Sequence, residues 1–237
     1  MEIIWIIGAG KFGKHALQGL SGNSAVKKLV MVDMVEPGSF LHAEGIEKKV
    51  EFIRMDGVTF LKEYLKPDGQ PPARIDSDDT INGRKVYEDY APDWIIPALP
   101  VHLAARWCQA MIEPNTISSC ELPSEVDCML PNTMRGANGD MYVSHADFYC
   151  PSSCNEPDKF CTVTGKPRKQ DMHNLIAETK IEGFHNFVIQ SRQLGPGIGG
   201  FRPKTLFELL KKVQNVKGKL VITTACRCHG VLTGLKK

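Results

Sequence analysis

A chain of 237 residues, 42% hydrophobic and 24% charged, has an ordinary globular composition with room for one large domain or a domain plus a subdomain. A net charge of +2 is too small to mark a nucleic-acid surface, so no nucleic-acid partner is expected. No apolar run approaches the roughly 20 residues that span a bilayer, and the N-terminus lacks the basic segment of a secretory leader, so the expectation is no membrane span and a cytoplasmic location.

The chain opens on five apolar residues, Ile3-Ile4-Trp5-Ile6-Ile7, followed by Gly8-Ala9-Gly10-Lys11-Phe12-Gly13. This reads as a buried strand, a glycine turn and a helix over about Lys11 to Leu20. In that order the spacing Gly-x-Gly-x-x-Gly is a dinucleotide fingerprint. Gly8 allows the tight turn, Gly10 lets a pyrophosphate approach the backbone, and Gly13 lets helix and strand pack closely. The helix N-terminus offers N–H groups and partial positive charge to the phosphates. A second strand, Lys28 to Asp33, ends on an acid where the fingerprint wants one for the ribose hydroxyls. A carboxylate there repels a 2′-phosphate, so NAD is expected over NADP. FAD proteins share the signature and S-adenosylmethionine enzymes use a related turn; the three-glycine spacing favours a dinucleotide.

Further along, the pattern predicts a strand from Val50 to Asp56, a short helix from Val58 to Leu65, a polar surface excursion from Pro67 to about Pro92, and a strand from Asp93 to Leu99. A helix from Val101 to Ile112 and a strand from Thr116 to Cys120 follow. His102, just past the fourth strand, is a candidate general acid/base. The βαβαβ order is that of a Rossmann half.

Residues 1 to about 120 resemble the NAD(P)-binding domain of saccharopine dehydrogenase-like proteins, and more distantly the nucleotide-binding domain of potassium-uptake regulators. The residues that carry this are Gly8-Ala9-Gly10-Lys11-Phe12-Gly13, Asp33, Asp56, and Pro97-Ala98-Leu99-Pro100 followed by His102-Leu103-Ala104. The resemblance implies a cofactor site that includes Lys11 and Phe12, with Asp56 near the adenine and Ala98, Leu99 and Pro100 on the nicotinamide side. It carries no substrate, and the second half of the chain is too short for the catalytic domain of those dehydrogenases.

From about Glu113 to Lys169 proline, glycine, asparagine and cysteine dominate, with a strand near Asp140 to His145. Such a segment does not fold on apolar burial alone. Disulfides are unexpected in a chain of this size without a leader, so the cysteines point to metal or thiol chemistry. Cys150, Cys154 and Cys161 lie within twelve residues interrupted by two prolines. Cys226 and Cys228, on one face of an extended strand, are the best donors to complete a metal site, with Cys120 and Cys128 in reserve. No C-x-x-C knuckle is present, which weakens a zinc ribbon, while an iron–sulfur cluster tolerates varied spacing. Both metals stay open, with a lean to iron–sulfur beside a nicotinamide. His145 and His229 are candidate ligands or proton donors.

Regular structure resumes with a strand near His185 to Ser191 and the loop Gly195-Pro196-Gly197-Ile198-Gly199-Gly200. A helix from Thr205 to Val216 and a final strand from Lys219 to Ala225 complete the chain. Gly195, Gly197, Gly199 and Gly200 with Arg202 form a candidate anion-binding loop.

The expected architecture is α/β. It is a doubly wound, mostly parallel Rossmann-like sheet with a cysteine-rich insertion or cap. Residues 1–120 form the dinucleotide-binding half, 121–172 the metal-binding insertion, and 173–237 a βαβ segment that completes the same sheet. The expected function is an NAD-linked oxidoreductase with a cysteine-ligated iron–sulfur or zinc centre, acting on a small molecule the sequence does not identify. The alternatives are a non-catalytic nucleotide-sensing regulator with structural zinc, and a transferase or tetrapyrrole-type dehydrogenase. The sequence does not fix the oligomeric state, and a homo-oligomer stays open.

Overall fold

The computed structural model describes residues 1–38, 50–67 and 91–237. The expected surface excursion between Pro67 and Pro92 falls almost wholly outside them. The described chain divides into two units, Met1–Leu99 with Arg202–Phe207, and Pro100–Phe201 with Glu208–Lys237.

The first unit is built on β1 (Glu2–Ile7), α1 (Lys11–Ser21), β2 (Val26–Asp33), β3 (Val50–Arg54), α2 (Gly57–Tyr64) and β4 (Trp94–Pro97). The four strands form one parallel sheet in the order β3-β2-β1-β4. β1 lies inside it, and Ile4, Trp5, Ile6 and Ile7 are all buried. A near-continuous apolar strand is what a parallel sheet covered on both faces demands. Trp5 packs edge-on against Phe60 of α2, with ring centroids 4.7 Å apart. Ala16, Leu17 and Leu20 turn the apolar face of α1 inward.

The second unit contains α3 (Leu103–Met111), β5 (Ser118–Ser119), α4 (Val126–Met129), β6 (Met134–Arg135), β7 (Asp140–Ser144), α5 (Met172–Glu178), β8 (Phe184–Gln190), β9 (Arg192–Gly195), β10 (Ile198–Gly200), β11 (Lys219–Ala225) and β12 (His229–Lys236). The helix α6 (Pro203–Gln214) begins in the first unit and ends in the second. β6-β7-β12-β11-β8 form a sheet that is antiparallel except where β11 meets β8, and β5 pairs with the end of β12. Leu122, Val126, Leu130, Met141, Val143, Met172, Ile176, Val221 and Leu232 form its core.

Three expectations need correction. The C-terminal βαβ segment does not complete the first sheet: β8 and β11 pair with each other and with β12 in a sheet of their own. The chain does not end its strands at Ala225, because β12 follows. Glycines hid β12 in the sequence, and close packing requires them. A Cβ on Gly234 would run into the Cys120 carbonyl, and one on Gly230 would press on Ile176, Ala225 and Val143. The insertion is also smaller than 121–172, because Leu122 to Ser144 supplies α4, β6, β7 and core side chains. Only 145–171 lacks helix and strand. Among the described residues no helix is long and apolar enough to cross a membrane.

Candidate functional site

In the first unit the glycine turn stands at the C-terminal end of β1. Gly8 adopts φ +117°, a left-handed conformation that favours glycine. A Cβ there would sit 2.5 Å from the Ala98 carbonyl oxygen, so the turn is seated directly on the segment after β4. A Cβ on Gly13 would overlap the Gly8 carbonyl, which fixes the close passage of α1 over the turn. A Cβ on Gly10 would meet nothing within 4 Å. Gly10 is the N-cap of α1, no side chain caps the helix, and its first turn holds no acid.

Asp33 ends β2 beside this turn. Its Oδ2 accepts the Ala9 N–H at 2.6 Å and its Oδ1 accepts the Val35 N–H at 3.0 Å. Two backbone donors fix the carboxylate at the mouth of the turn and leave each oxygen further acceptor capacity. The turn, Asp33, Ala98 and Leu99 are thus gathered at one end of the parallel sheet. Lys11 and Phe12 project from the first turn of α1, Phe12 at 67% exposure. Asp56 is the N-cap of α2, its Oδ1 accepting the Thr59 N–H at 2.8 Å. Pro100 begins the second unit.

The second unit joins residues 145–171 to the tight turn Cys226-Arg227-Cys228-His229 between β11 and β12. These four residues are not an extended strand with both thiols on one face. The Cys226 N–H donates to the His229 carbonyl at 2.9 Å, and Ala225 pairs with Gly230. The His145 N–H bonds the Cys228 carbonyl at 2.9 Å, and the Met172 N–H bonds the Arg227 carbonyl at 2.8 Å. Glu156 holds the middle: its Oε1 accepts the Arg227 and Cys228 N–H groups at 2.7 and 3.2 Å. Its backbone is left-handed, φ +45°, unusual for a non-glycine residue.

The thiols gather around this latch. The Cys150 Sγ lies 3.5 Å from His229 Nε2. The buried Arg168 guanidinium donates to the Cys228 Sγ at 3.1 Å while pairing with Asp171. The Cys154 Sγ accepts the Glu156 N–H at 3.4 Å, and the Cys226 Sγ accepts those of Cys228 and His229 at 3.4 and 3.3 Å. The Thr164 and Val163 N–H groups and the Thr164 hydroxyl hold the Cys161 thiol below its ordinary pKa. Burial and the neighbouring Cys154 and Cys161 push Cys150 up. Burial also pushes Cys228 up, against the pull of Arg168. Burial and then Glu156, which is hydrogen-bonded to this thiol, push Cys226 up. The His145 Nε2 is buried without a partner. Among the described residues no three His, Cys, Asp or Glu side chains stand close enough to form a metal shell. Sulfur donors suit a thiophilic ion or cluster by type, while burial disfavours the anionic form at Cys150, Cys226 and Cys228. Cys108, Cys120 and Cys128 lie on other segments, Cys108 buried in α3.

Two sequence candidates prove to be internal structure. His102 is 3% exposed, and both ring nitrogens are engaged: Nδ1 with the Thr233 hydroxyl at 2.8 Å and Nε2 with the Thr224 hydroxyl at 2.9 Å. Thr233 in turn donates to Asp140. Burial lowers the His102 pKa to about 4, so it is a neutral core imidazole rather than an accessible acid/base. The Gly195–Gly200 loop is a β-hairpin with Pro196-Gly197 at its tip. The Gly197 N–H and the Gln193 side chain both donate to the Cys154 carbonyl, at 3.0 and 2.6 Å. Arg202, in the first unit, lies 3.9 Å above the Trp94 ring and pairs with Glu2 and Asp93. Its charge is answered by carboxylates, and the hairpin supports the cysteine loop instead of cradling an anion. The sequence reading missed Glu156 and Arg168. Charged residues inside a proline- and cysteine-rich loop were their only signal.

The structure defines a mixed α/β protein with a four-stranded parallel sheet carrying a glycine turn, and a second unit in which a thiol-rich segment is tied to a hairpin. The chain belongs to the AF_1314_C family, described as the C-terminal domain of an uncharacterized protein, whose profile matches residues 101–237 and so takes in nearly all of the second unit together with Arg202–Phe207. A protein of Archaeoglobus fulgidus (strain ATCC 49558), named only as an uncharacterized protein, is 29% identical over 244 residues, covering 98% of each chain. No solved structure matches the chain.

Proposed function

We propose that this chain is an NAD-binding, oxidoreductase-like protein, with a Rossmann-like first unit and a cysteine-ligated metal centre in the second. The observation that carries the nucleotide reading is the N-terminus of α1. It has no side-chain cap, no first-turn acid and open space where a Gly10 side chain would be, beside the fixed carboxylate of Asp33. An uncapped helix start suits a pyrophosphate. The remaining acceptor capacity of Asp33 suits the ribose hydroxyls and disfavours a 2′-phosphate, and Ala98 and Leu99 would face the nicotinamide side. The parallel order β3-β2-β1-β4 and the resemblance to saccharopine dehydrogenase-like domains support the same reading.

The metal would be held by thiols of 145–171 and the 226–229 turn. An iron–sulfur cluster would supply electron transfer there; zinc would supply cohesion. The burial of His102 removes the acid/base candidate that the sequence placed after the fourth strand, and this favours a second reading: a non-catalytic nucleotide sensor with structural zinc.

Titration of the purified chain with NADH and NADPH tests the nucleotide site. NADH should bind the tighter of the two. Asp33→Ala should weaken NADH by roughly tenfold or more, the worth of a charge-assisted hydrogen bond. Equal binding of both cofactors by wild type and variant would count against the site. NADH oxidation across a panel of small carbonyl and imine substrates separates the readings: turnover identifies the oxidoreductase, and binding without turnover the sensor.

A further inference from the structure

Arg54 closes β3 at the level where Asp33 closes β2. The two are register partners in the parallel sheet, and the Met55 N–H bonds the Asp33 carbonyl at 3.2 Å. Residues level with each other on neighbouring strands project to the same face of a sheet. The fold therefore sets a guanidinium beside the carboxylate, although no arginine follows Asp33 closely along the chain.

Opposite charges on neighbouring strands attract, yet these two do not pair. Asp33 turns to the Ala9 and Val35 N–H groups, and the Arg54 Nε donates to the Met34 carbonyl at 3.1 Å. Among the described residues Arg54 makes no ion pair, and only Nε is engaged, which leaves the Nη1 and Nη2 donors of the fork free. Arg54 is exposed, as are Met34 and Val35 at 55% and 72%, so the fork stands on open surface beside the glycine turn.

A ligand suited to both groups presents a hydroxyl donor to the carboxylate and an anion to the guanidinium on neighbouring atoms. The plain ribose of NAD offers two hydroxyls and nothing for Arg54. A ribose with a 2′-phosphate offers its 3′-hydroxyl to Asp33 and its phosphate to Arg54. A guanidinium fork matches phosphate oxygens in geometry as well as charge, and it is more weakly hydrated than an ammonium. Asp33 alone repels that phosphate, and Arg54 offsets the repulsion.

We propose that Arg54 is a specificity-determining residue of the nucleotide site: its free Nη groups receive a 2′-phosphate, so the site admits NADPH beside NADH. This rests on the dinucleotide reading above and deepens it. Asp33 keeps NADH the tighter ligand, and Arg54 holds NADPH within about tenfold of it.

The test is titration of the full chain as wild type, Arg54→Ala and Arg54→Lys with NADH, NADPH and adenosine 2′,5′-bisphosphate, a probe that carries the 2′-phosphate without the nicotinamide. Arg54→Ala should weaken NADPH and the bisphosphate by about tenfold or more and move NADH by less than about threefold. Retained NADH binding also shows that the variant is folded. Arg54→Lys keeps the charge and loses the fork, so its NADPH affinity should fall between the two. Added salt should weaken NADPH more than NADH in wild type, and that difference should vanish in Arg54→Ala. Equal loss of NADH and NADPH in Arg54→Ala would make Arg54 a support of the fold and overturn the proposal. So would unchanged NADPH binding in that variant, or a wild type that binds NADH and rejects NADPH; both leave the dinucleotide reading intact. A wild type that binds neither cofactor would overturn the dinucleotide reading and this inference with it.

Discussion

In the N-terminal turn, Gly8 and Gly13 are glycine because backbone passes where a side chain would stand, while Gly10 opens onto empty space at an uncapped helix. In the Gly195–Gly200 hairpin, the groups that resembled an anion cradle are turned inward. The Gly197 N–H binds the Cys154 carbonyl, and a Cβ on Gly199 would press on the Ser191 hydroxyl at 2.8 Å. His102 follows the hairpin's pattern, with both nitrogens answered inside the sheet. The difference teaches that glycines and histidines near a strand end mark a ligand site only where the fold leaves their polar groups unanswered. A fully answered polar group is structure.

This contrast can be broken by substitution. Gly13→Ala should have the largest effect, because the added methyl overlaps the Gly8 carbonyl within the backbone itself. A loss of about 3 kcal/mol or more in denaturant unfolding is expected. A loss under about 1 kcal/mol would show that α1 can lift from the turn cheaply.

His102 comes next, and its sign is fixed by burial. The folded pKa is depressed from 6.5 to about 4. The unfolded chain therefore binds a proton that the native protein refuses between these values. Its contribution to stability is complete above pH 6.5 and is lost progressively as pH falls to about 4, amounting to about 3 kcal/mol. Stability measured from pH 7 to pH 4 should fall more steeply for wild type than for His102→Gln. Parallel profiles would return His102 to the list of accessible groups.

Gly197→Ala is smaller. Its φ of +68° lies in the left-handed region, so the cost should be about 1 kcal/mol. NADH affinity should not change, since this hairpin belongs to the cysteine loop. Weakened NADH binding would reinstate the hairpin as an anion site.

Much of the first unit could be read from sequence. The run Ile3 to Ile7, the glycine spacing and Asp33 are local signals, and parallel β1, β2 and β4 follow from them. The second unit was less legible, because its organising contacts are long-range. β12 carries two glycines where side chains would collide with Cys120 and Val143, so its apolar pattern is interrupted for a reason invisible along the chain. The meeting of the two cysteine groups was readable from composition. Its means was not, because the Glu156 carboxylate reaches Arg227 and Cys228 across some seventy positions of sequence. His102 had the right place after β4 for a catalyst, and only the partners Thr224 and Thr233, far along the chain, show otherwise.

Gly10→Ser tests the central claim most directly, because it separates stability from binding. Serine is a favoured N-cap, the Gly10 backbone is already extended at φ −70° and ψ −163°, and its Cβ would enter open space. The melting temperature should stay level or rise while NADH affinity falls at least tenfold, because the new side chain occupies the seat of the pyrophosphate. Undiminished NADH binding in a stable Gly10→Ser protein would contradict the account.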